Sequence, residues 1–146
     1  MKKRLALFIA TGLFVGYFPF APGTIGTLLG VFIYWVSPGY LLLSLPLFFL
    51  LSLWSIKQAS SLLLKEDDPK IVIDETTGFL VTMLFLPPNW EYILAGFILF
   101  RIIDILKPYP INKIEEISSP WGVVLDDVAA GAMSCLLLHG FRYIFG

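Results

Sequence analysis

The amino-acid sequence predicts an all-α integral membrane protein, a polytopic helical bundle, from its composition, its apolar segments and its charge placement. Hydrophobic residues make up 58% of the 146 residues and charged residues 14%, against roughly 45–50% and 25% in soluble domains. A soluble domain of this size could not bury so much apolar surface, so we expect lipid around the chain. No segment alternates as a strand would, and bilayers accommodate helices or closed barrels. The length fits a single domain, residues 1–146.

Five apolar stretches delimit the expected helices, and the sequence LPPNWE divides the fourth into two. The segments are Leu5–Phe18, Ile25–Val36, Tyr40–Ile56, the pair Thr77–Leu86 and Tyr92–Ile105, and Trp121–Phe145. Several are short, whereas a helix needs about 20 apolar residues to cross a bilayer. We therefore expect flanking residues to extend some of them, and others to be tilted, broken or buried against neighbouring helices.

The positions of Lys and Arg predict which segment ends face the cytoplasm. Basic residues group in three regions, namely residues 2–4, 57–70 and 107–113. The positive-inside rule places all three regions on the cytoplasmic side, so one of the three apolar stretches between the first two regions cannot cross. We expect Leu5–Phe18 to be a short re-entrant or interfacial helix, because Pro19 and Pro22 interrupt the chain after it.

The first group of acidic residues lies in the sequence DDPKIVIDETTG, at positions 67–78. Asp74 and Glu75 should open a helix, where the helix dipole favours negative charge. The apolar sequences IVI and TGFLV on either side would draw both carboxylates into apolar surroundings, where an unpaired carboxylate normally needs a cation. For Glu66 and Asp67 we expect a solvated loop.

A second group, in FRIIDILKPYP, places three charged residues at intervals of three along one helix that ends before Pro108. Two interpretations remain open for them. Arg101, Asp104 and Lys107 could form an internal ladder of ion pairs. Alternatively, Asp104 is a metal ligand, and the guanidinium group of Arg101 or the ammonium group of Lys107 holds phosphate.

The third group is the pair Asp126 and Asp127 in GVVLDDVAAG, inside an otherwise apolar helix. Two adjacent ionised groups at membrane depth are hard to explain as surface charge. The small residues Ala129–Gly131 permit a close helix approach, which would bring these carboxylates near Glu75 and Asp104.

The fourth group is the turn in FPFAPGTIGTLLG. Thr24 is expected to be the N-cap of a helix beginning at Ile25. Gly23 and Gly26 would leave backbone N–H groups approachable at the helix N-terminus, which attracts phosphate. A Pro-Gly turn before a helix is common without any ligand, so the turn gains weight only because it shares the cytoplasmic side with the acidic residues.

The donor set favours a hard cation. Carboxylates without His or Cys suit Mg²⁺, which commonly binds carboxylates together with substrate phosphate. His139 stands late in the last helix, away from the acidic residues, and we expect it and Cys135 to be structural. Net charge of −1 argues against an electrostatic nucleic-acid partner.

Taken in order, the motifs FPFAPGTIGTLLG, IVIDETTG, FRIIDILKPYPI and GVVLDDVAAG resemble those of the phosphatidylglycerophosphatase A family, over about Gly16 to Gly131. The resemblance implies a Mg²⁺-dependent phosphatase of the bacterial inner membrane. Its substrate would be the phospholipid phosphatidylglycerophosphate, and its products phosphatidylglycerol and phosphate. The residues that match the family motifs are Asp74, Glu75, Asp104, Asp126, Asp127, Arg101, Lys107, Pro22, Gly23 and Thr24. The sequence SSPWGVVLDD departs from the glycine pair that family members often carry before the last helix.

These observations together predict a catalytic centre on the cytoplasmic face. Mg²⁺ would be held by Glu75, Asp104 and one or both of Asp126 and Asp127, with Asp74 as a further candidate ligand. Asp126, Asp127, Arg101 and Lys107 would be catalytic. Arg101 and Lys107 would hold the phosphate, assisted by the amides of Gly23 and Thr24, while an in-line water attacks.

Three other functions would also place charged or catalytic residues in membrane helices. A small Mg²⁺ carrier or channel subunit, with carboxylates lining its path, is the alternative, although it predicts carboxylates at several depths. A transferase of CDP-activated alcohols would need Gly and Arg where the chain has Asp127 and Gly131. A lipid phosphatase with a catalytic histidine would need a better placed residue than His139.

Overall fold

The computed structural model describes residues 2–63 and 68–145, and these residues form α-helices, the short 3₁₀ helices Val15–Tyr17 and Pro38–Tyr40, and turns, without a strand. The helices are α1 (Lys2–Ala10), α2 (Pro22–Val36), α3 (Leu41–Ala59), α4 (Ile73–Thr82), α5 (Trp90–Leu106), α6 (Ile111–Glu115) and α7 (Trp121–Phe145). The all-α prediction is confirmed for this part of the chain. Glu66 and Asp67, which the sequence places in a solvated loop, and Lys65 of the second basic region lie outside it.

Within the part of the chain that the structure describes, two helices are long and apolar enough to cross a membrane. They are the 22 residues Pro38–Ala59, which include α3, and the 25 residues of α7. Only 22% and 44% of their apolar windows are buried inside the protein, whereas a core helix of a soluble domain would be mostly buried. Their exposed apolar faces therefore suit lipid, and the further crossings expected from the sequence stay a prediction.

Helix α4 lies at the centre, packed mainly against α7 and α2, with α3 and α5 beside it. Nine of its ten residues are buried, and Glu75 is partly exposed. Ten helical residues span about 15 Å, roughly half the hydrocarbon thickness of a bilayer. Thus α4 is a short helix enclosed by longer ones, and its first turn opens toward the acidic residues of α5 and α7.

The expected end of the helical segment Thr77–Leu86 is wrong, because the helix ends at Thr82. The expectation that Asp74 and Glu75 open the helix is confirmed, since α4 begins at Ile73, before the apolar stretch that starts at Thr77. Acidic residues in its first turn favour the early start. After Thr82 the chain turns, with Phe85 in the left-handed region at φ 60°, and Pro87 prevents the helix from resuming.

The N-terminal segment Leu5–Phe18 is likewise not one helix. Helix α1 ends at Ala10, and the following turn carries positive φ angles at Gly12, Leu13 and Phe14. The turn packs against the segment before α4, where the Val72 amide donates to the Ala10 carbonyl over 2.9 Å. A short N-terminal helix is therefore present, and its place in the membrane interface stays a prediction.

The predicted N-cap at Thr24 is wrong. Helix α2 begins at Pro22, with Ala21 as N-cap, so Thr24 lies within the first turn. The fixed φ of proline suits the first helical position, where its missing N–H costs nothing. The helix therefore starts at Pro22, about one turn before the predicted start at Ile25.

The opposite end of α4 is held by side chains remote from the acidic residues. The Tyr34 hydroxyl donates to the Leu86 carbonyl over 3.0 Å. Nε2 of His139 lies 2.9 Å from the Leu84 carbonyl oxygen, and the Cys135 thiol donates to the same oxygen over 3.4 Å. His139 and Cys135 thus occupy structural positions, as expected from the sequence.

Candidate active site

A cavity of about 390 Å³ lies where the N-terminal ends of α4 and α7 meet the C-terminal end of α5 and helix α6. Its charged lining consists of Asp74, Glu75, Asp104, Lys107, Glu115, Asp126 and Asp127, and Ser118 and Ser119 lie at its edge. Six carboxylates thus face one ammonium group in a space large enough for a phosphate group. Such a concentration of like charge suits a site that receives cations.

Close contact between α4 and α7 creates this concentration. A side chain on Gly131 would overlap the carbonyl oxygen of Gly78, and a Cβ on Gly78 would lie 2.7 Å from the carbonyl oxygen of Asp127. Only glycine allows the two backbones to touch here. The predicted close approach through the small residues after Asp127 is therefore confirmed, and it places this carboxylate beside the first turn of α4.

Three carboxylates form the tightest cluster. One oxygen from each of Asp74, Glu75 and Asp127 lies within 4.8 Å of the others. Oδ1 of Asp74 and Oε2 of Glu75 are buried and have no hydrogen-bond partner within the described residues. Buried carboxylates this close repel each other unless a proton or a cation lies between them.

Burial and neighbouring charge both act on the pKa values of the α4 carboxyls, which lie outside the two candidate membrane spans. Burial, with the charge of Asp126 adding to it, raises the pKa of Asp74 to about 7. Burial and the neighbouring Asp74 raise the pKa of Glu75 well above its usual value. A divalent cation between them would favour the charged forms and reverse both shifts. The oxygen donors of the cluster, without His or Cys, fit Mg²⁺.

The structure groups the predicted metal ligands differently from the sequence. Asp74 joins Glu75 and Asp127 in the cluster, whereas Asp104 and Asp126 line the same cavity and are engaged in ion pairs. The position of Asp74 in the cluster follows from its place in the first turn of a buried helix. Which of the five carboxylates bind a metal stays a prediction.

The cationic residues at the C-terminal end of α5 pair separately, Arg101 with one carboxylate and Lys107 with two, rather than forming one continuous ladder. Arg101 Nη1 lies 2.5 Å from Asp104 Oδ2, and its buried Nε has no hydrogen-bond partner within the described residues. The Lys107 ammonium lies 2.5 Å from Glu115 Oε1 and 2.8 Å from Asp126 Oδ2. Although burial alone would lower the pKa of Lys107, these two carboxylates raise it, so Lys107 carries its positive charge.

The N-terminus of α2 reaches the same region. A Cβ on Gly23 would contact Oε1 of Glu75 and would lie 3.1 Å from Nη2 of Arg101. Glycine is thus required for this close approach. The Thr24 amide already donates to the Ala21 carbonyl over 3.0 Å, so a contact between this amide and phosphate would compete with an existing hydrogen bond.

Glu115 is the residue of the cavity that the sequence analysis missed. It belongs to the pair Glu115–Glu116, next to Lys113, which has the composition of a solvated surface. Nothing in the local pattern distinguishes the two glutamates. Only the packing of α6 against α7 turns Glu115 toward Lys107 and leaves Glu116 exposed beside Lys113.

Comparison with known proteins agrees with the motifs. The sequence model of the family described as phosphatidylglycerophosphatase A matches residues 8–142. The chain is 32% identical to phosphatidylglycerophosphatase A of Escherichia coli, over 94% of this chain and 87% of the relative. It is 33% identical to phosphatidylglycerophosphatase A of Haemophilus influenzae, over 92% and 87%.

A third relative, from Bacteroides thetaiotaomicron, is 36% identical over 97% of this chain and 96% of its own length, and carries the provisional name phosphatidylinositol-3-phosphatase. No solved structure matches the chain. All three relatives are named as phosphatases of phospholipids, and the family model spans most of the chain. The chain therefore belongs to the phosphatidylglycerophosphatase A family of enzymes.

Proposed function

We propose that the chain is a Mg²⁺-dependent phosphatase that hydrolyses the terminal phosphate monoester of phosphatidylglycerophosphate, giving phosphatidylglycerol and inorganic phosphate. The names of the Escherichia coli and Haemophilus influenzae relatives support this substrate. One observation carries the metal dependence, namely the two buried carboxylate oxygens of Asp74 and Glu75 that lack a partner within the described residues beside Asp127.

The proposal assigns the metal to the carboxylate cluster and the phosphate to the cationic residues beside it. Asp74, Glu75 and Asp127 would hold Mg²⁺, with Asp104 and Asp126 within the same cavity. When bound, the ion would neutralise phosphate charge and lower the pKa of a water molecule. The reaction joins the oxygen of water to phosphorus and releases the glycerol oxygen as an alcohol.

Arg101 and Lys107 would bind the phosphate oxygens. Nε of Arg101, which has no hydrogen-bond partner among the residues that the structure describes, supports this role, because a guanidinium group can hold Asp104 and still donate to a second oxyanion. Gly23, which lies against both Glu75 and Arg101, leaves room for the phosphate at the N-terminus of α2. In this way the positive groups would orient the phosphorus atom for in-line attack.

The carrier alternative finds no support. A path for Mg²⁺ would need carboxylates along the length of the bundle. In the described residues, the acidic residues of α4, α7 and the C-terminal end of α5 meet at one end instead. At the other end, Tyr34, His139 and Cys135 contact backbone carbonyl oxygens. This arrangement suits a site that is open on one side.

We expect the chain to hydrolyse phosphatidylglycerophosphate faster than phosphatidic acid, and to stop when EDTA removes the metal. A metal that contributes several kcal/mol to the transition state accounts for roughly a 10²–10³-fold loss. The measurement is phosphate release from each lipid in detergent micelles, with EDTA and after restoring Mg²⁺. Equal rates with and without EDTA would contradict the metal dependence.

We also propose that the protein lies in the bacterial inner membrane, crosses it several times and faces the cytoplasm with its active site. The basic regions at residues 57–70 and 107–113 support this orientation. Protease added to inverted vesicles should cleave near Lys57–Lys70, whereas right-side-out vesicles should protect this region. Cleavage only in right-side-out vesicles would place the site outside.

A further inference from the structure

We infer that Glu115 is a positioning residue, which holds the ammonium group of Lys107 at the cavity so that Lys107 can bind a phosphate oxygen. The inference deepens the proposed phosphatase function and rests on it. It concerns a residue on α6, outside the motifs that the sequence singles out.

The ammonium group of Lys107 lies between two carboxylates of different exposure. Glu115 Oε1 lies 2.5 Å away and its side chain is 46% exposed, whereas Asp126 Oδ2 lies 2.8 Å away and its side chain is 7% exposed. Glu115 therefore holds the ammonium from the solvent side and Asp126 from the interior. An ammonium group has three N–H donors, so one donor remains for an incoming phosphate oxygen.

The backbone supports this placement. Lys107 caps α5 in the left-handed conformation, at φ 44° and ψ 58°, a region that residues other than glycine seldom adopt. The side chain therefore leaves the end of α5 in a direction that a continued helix would not give. Helix α6, anchored by the buried Ile111 and packed on α7, presents Glu115 to it.

Without Glu115 the ammonium group would have only Asp126 as partner. The lysine side chain has a flexible four-carbon stem, so the group could then turn fully toward Asp126 or away into solvent. Either movement would weaken phosphate binding. Because the pair involves a half-exposed carboxylate, its loss should change protein stability little.

Glu115→Gln tests the inference, with Glu116→Gln as the matched control on the same helix. Glu116 is exposed and pairs only with Lys113 at 3.1 Å among the described residues. For hydrolysis of phosphatidylglycerophosphate we expect Glu115→Gln to raise KM about tenfold, the size of one charge-assisted hydrogen bond, with kcat changed less than about threefold. Glu115→Asp, which retains the charge, should recover most of the wild-type KM, and Glu116→Gln should match wild type.

A second measurement separates this inference from the identity of the lipid. Inorganic phosphate, in the presence of Mg²⁺, should stabilise the purified wild-type protein against thermal unfolding, and its apparent Kd should rise about tenfold in Glu115→Gln but not in Glu116→Gln. If this difference appears while phosphatidylglycerophosphate is not hydrolysed, the proposed substrate is wrong and the role of Glu115 stands. If Glu115→Gln and Glu116→Gln show the same phosphate affinity, or if Glu115→Gln lowers kcat at unchanged KM, the inference is overturned.

Discussion

Replacing Asp127 by asparagine should reduce Mg²⁺-dependent phosphate release by about 10²–10⁴-fold, the range for loss of a positioned catalytic group. The Asp127 side chain is buried at 4% exposure, and one of its oxygens lies within 4.8 Å of oxygens of Asp74 and Glu75. The neutral amide keeps the shape of the side chain and removes the charge that a cation would need. The measurement is phosphate release from phosphatidylglycerophosphate over a range of Mg²⁺ concentrations.

The stability of the same variant distinguishes a catalytic from a structural role. Removing one of several mutually repelling buried carboxylates should leave the melting temperature in EDTA unchanged or raise it. Asp68→Asn serves as control, because Asp68 is also buried and accepts the Lys70 amide at 3.0 Å, a bond that asparagine can keep. Normal turnover by Asp127→Asn, or equal losses in both variants, would refute the assignment of Asp127.

Replacing Gly131 by alanine should both destabilise the protein and reduce its activity. The added methyl group would overlap the carbonyl oxygen of Gly78 and press on Val81, so α4 and α7 must move apart. Forced overpacking of a core costs about 1–3 kcal/mol. The same contact holds Asp127 beside Asp74 and Glu75. Moving α4 and α7 apart should therefore also lengthen the distances between these carboxylates and weaken Mg²⁺ binding.

Gly140→Ala provides the control on the same helix. A Cβ on Gly140 meets nothing within 4 Å, and alanine is about 1 kcal/mol more favourable than glycine inside a helix. The melting temperature should therefore fall, and the Mg²⁺ concentration for half-maximal activity should rise, only in Gly131→Ala. If Gly131→Ala keeps both properties, the close contact with Gly78 does not set the geometry of the site.

The helical class and the acidic motifs could be predicted because both are local properties of the chain. A bilayer requires that backbone groups bond within each segment, so apolar runs without alternation indicate helices before any packing is known. Likewise, Asp126 and Asp127 stand out because adjacent acids in an apolar helix need a special reason. Segment boundaries were less predictable, as Thr24 and Leu86 show, because proline and left-handed residues decide where a helix begins and ends.

The composition of the carboxylate cluster depended on tertiary contacts. Asp74 and Asp104 are both acidic residues at helix ends, yet only Asp74 joins the cluster with Glu75 and Asp127, while Asp104 is paired with Arg101. Nothing along the sequence separates Glu115 from Glu116. The rotation and spacing of packed helices decide which side chain faces the cavity, and these follow from contacts between residues far apart in the chain.

For this protein, then, hydropathy and charge alone determined an all-helical chain with acidic residues in three separate segments, because both are read residue by residue. Only the tertiary structure decided that a buried, half-length α4 meets α7 through Gly78 and Gly131, and that Lys107 lies between Glu115 and Asp126. The physical reason is distance. Electrostatic repulsion, ion pairing and metal binding act over a few ångströms, and such distances between segments are set by how backbones pack.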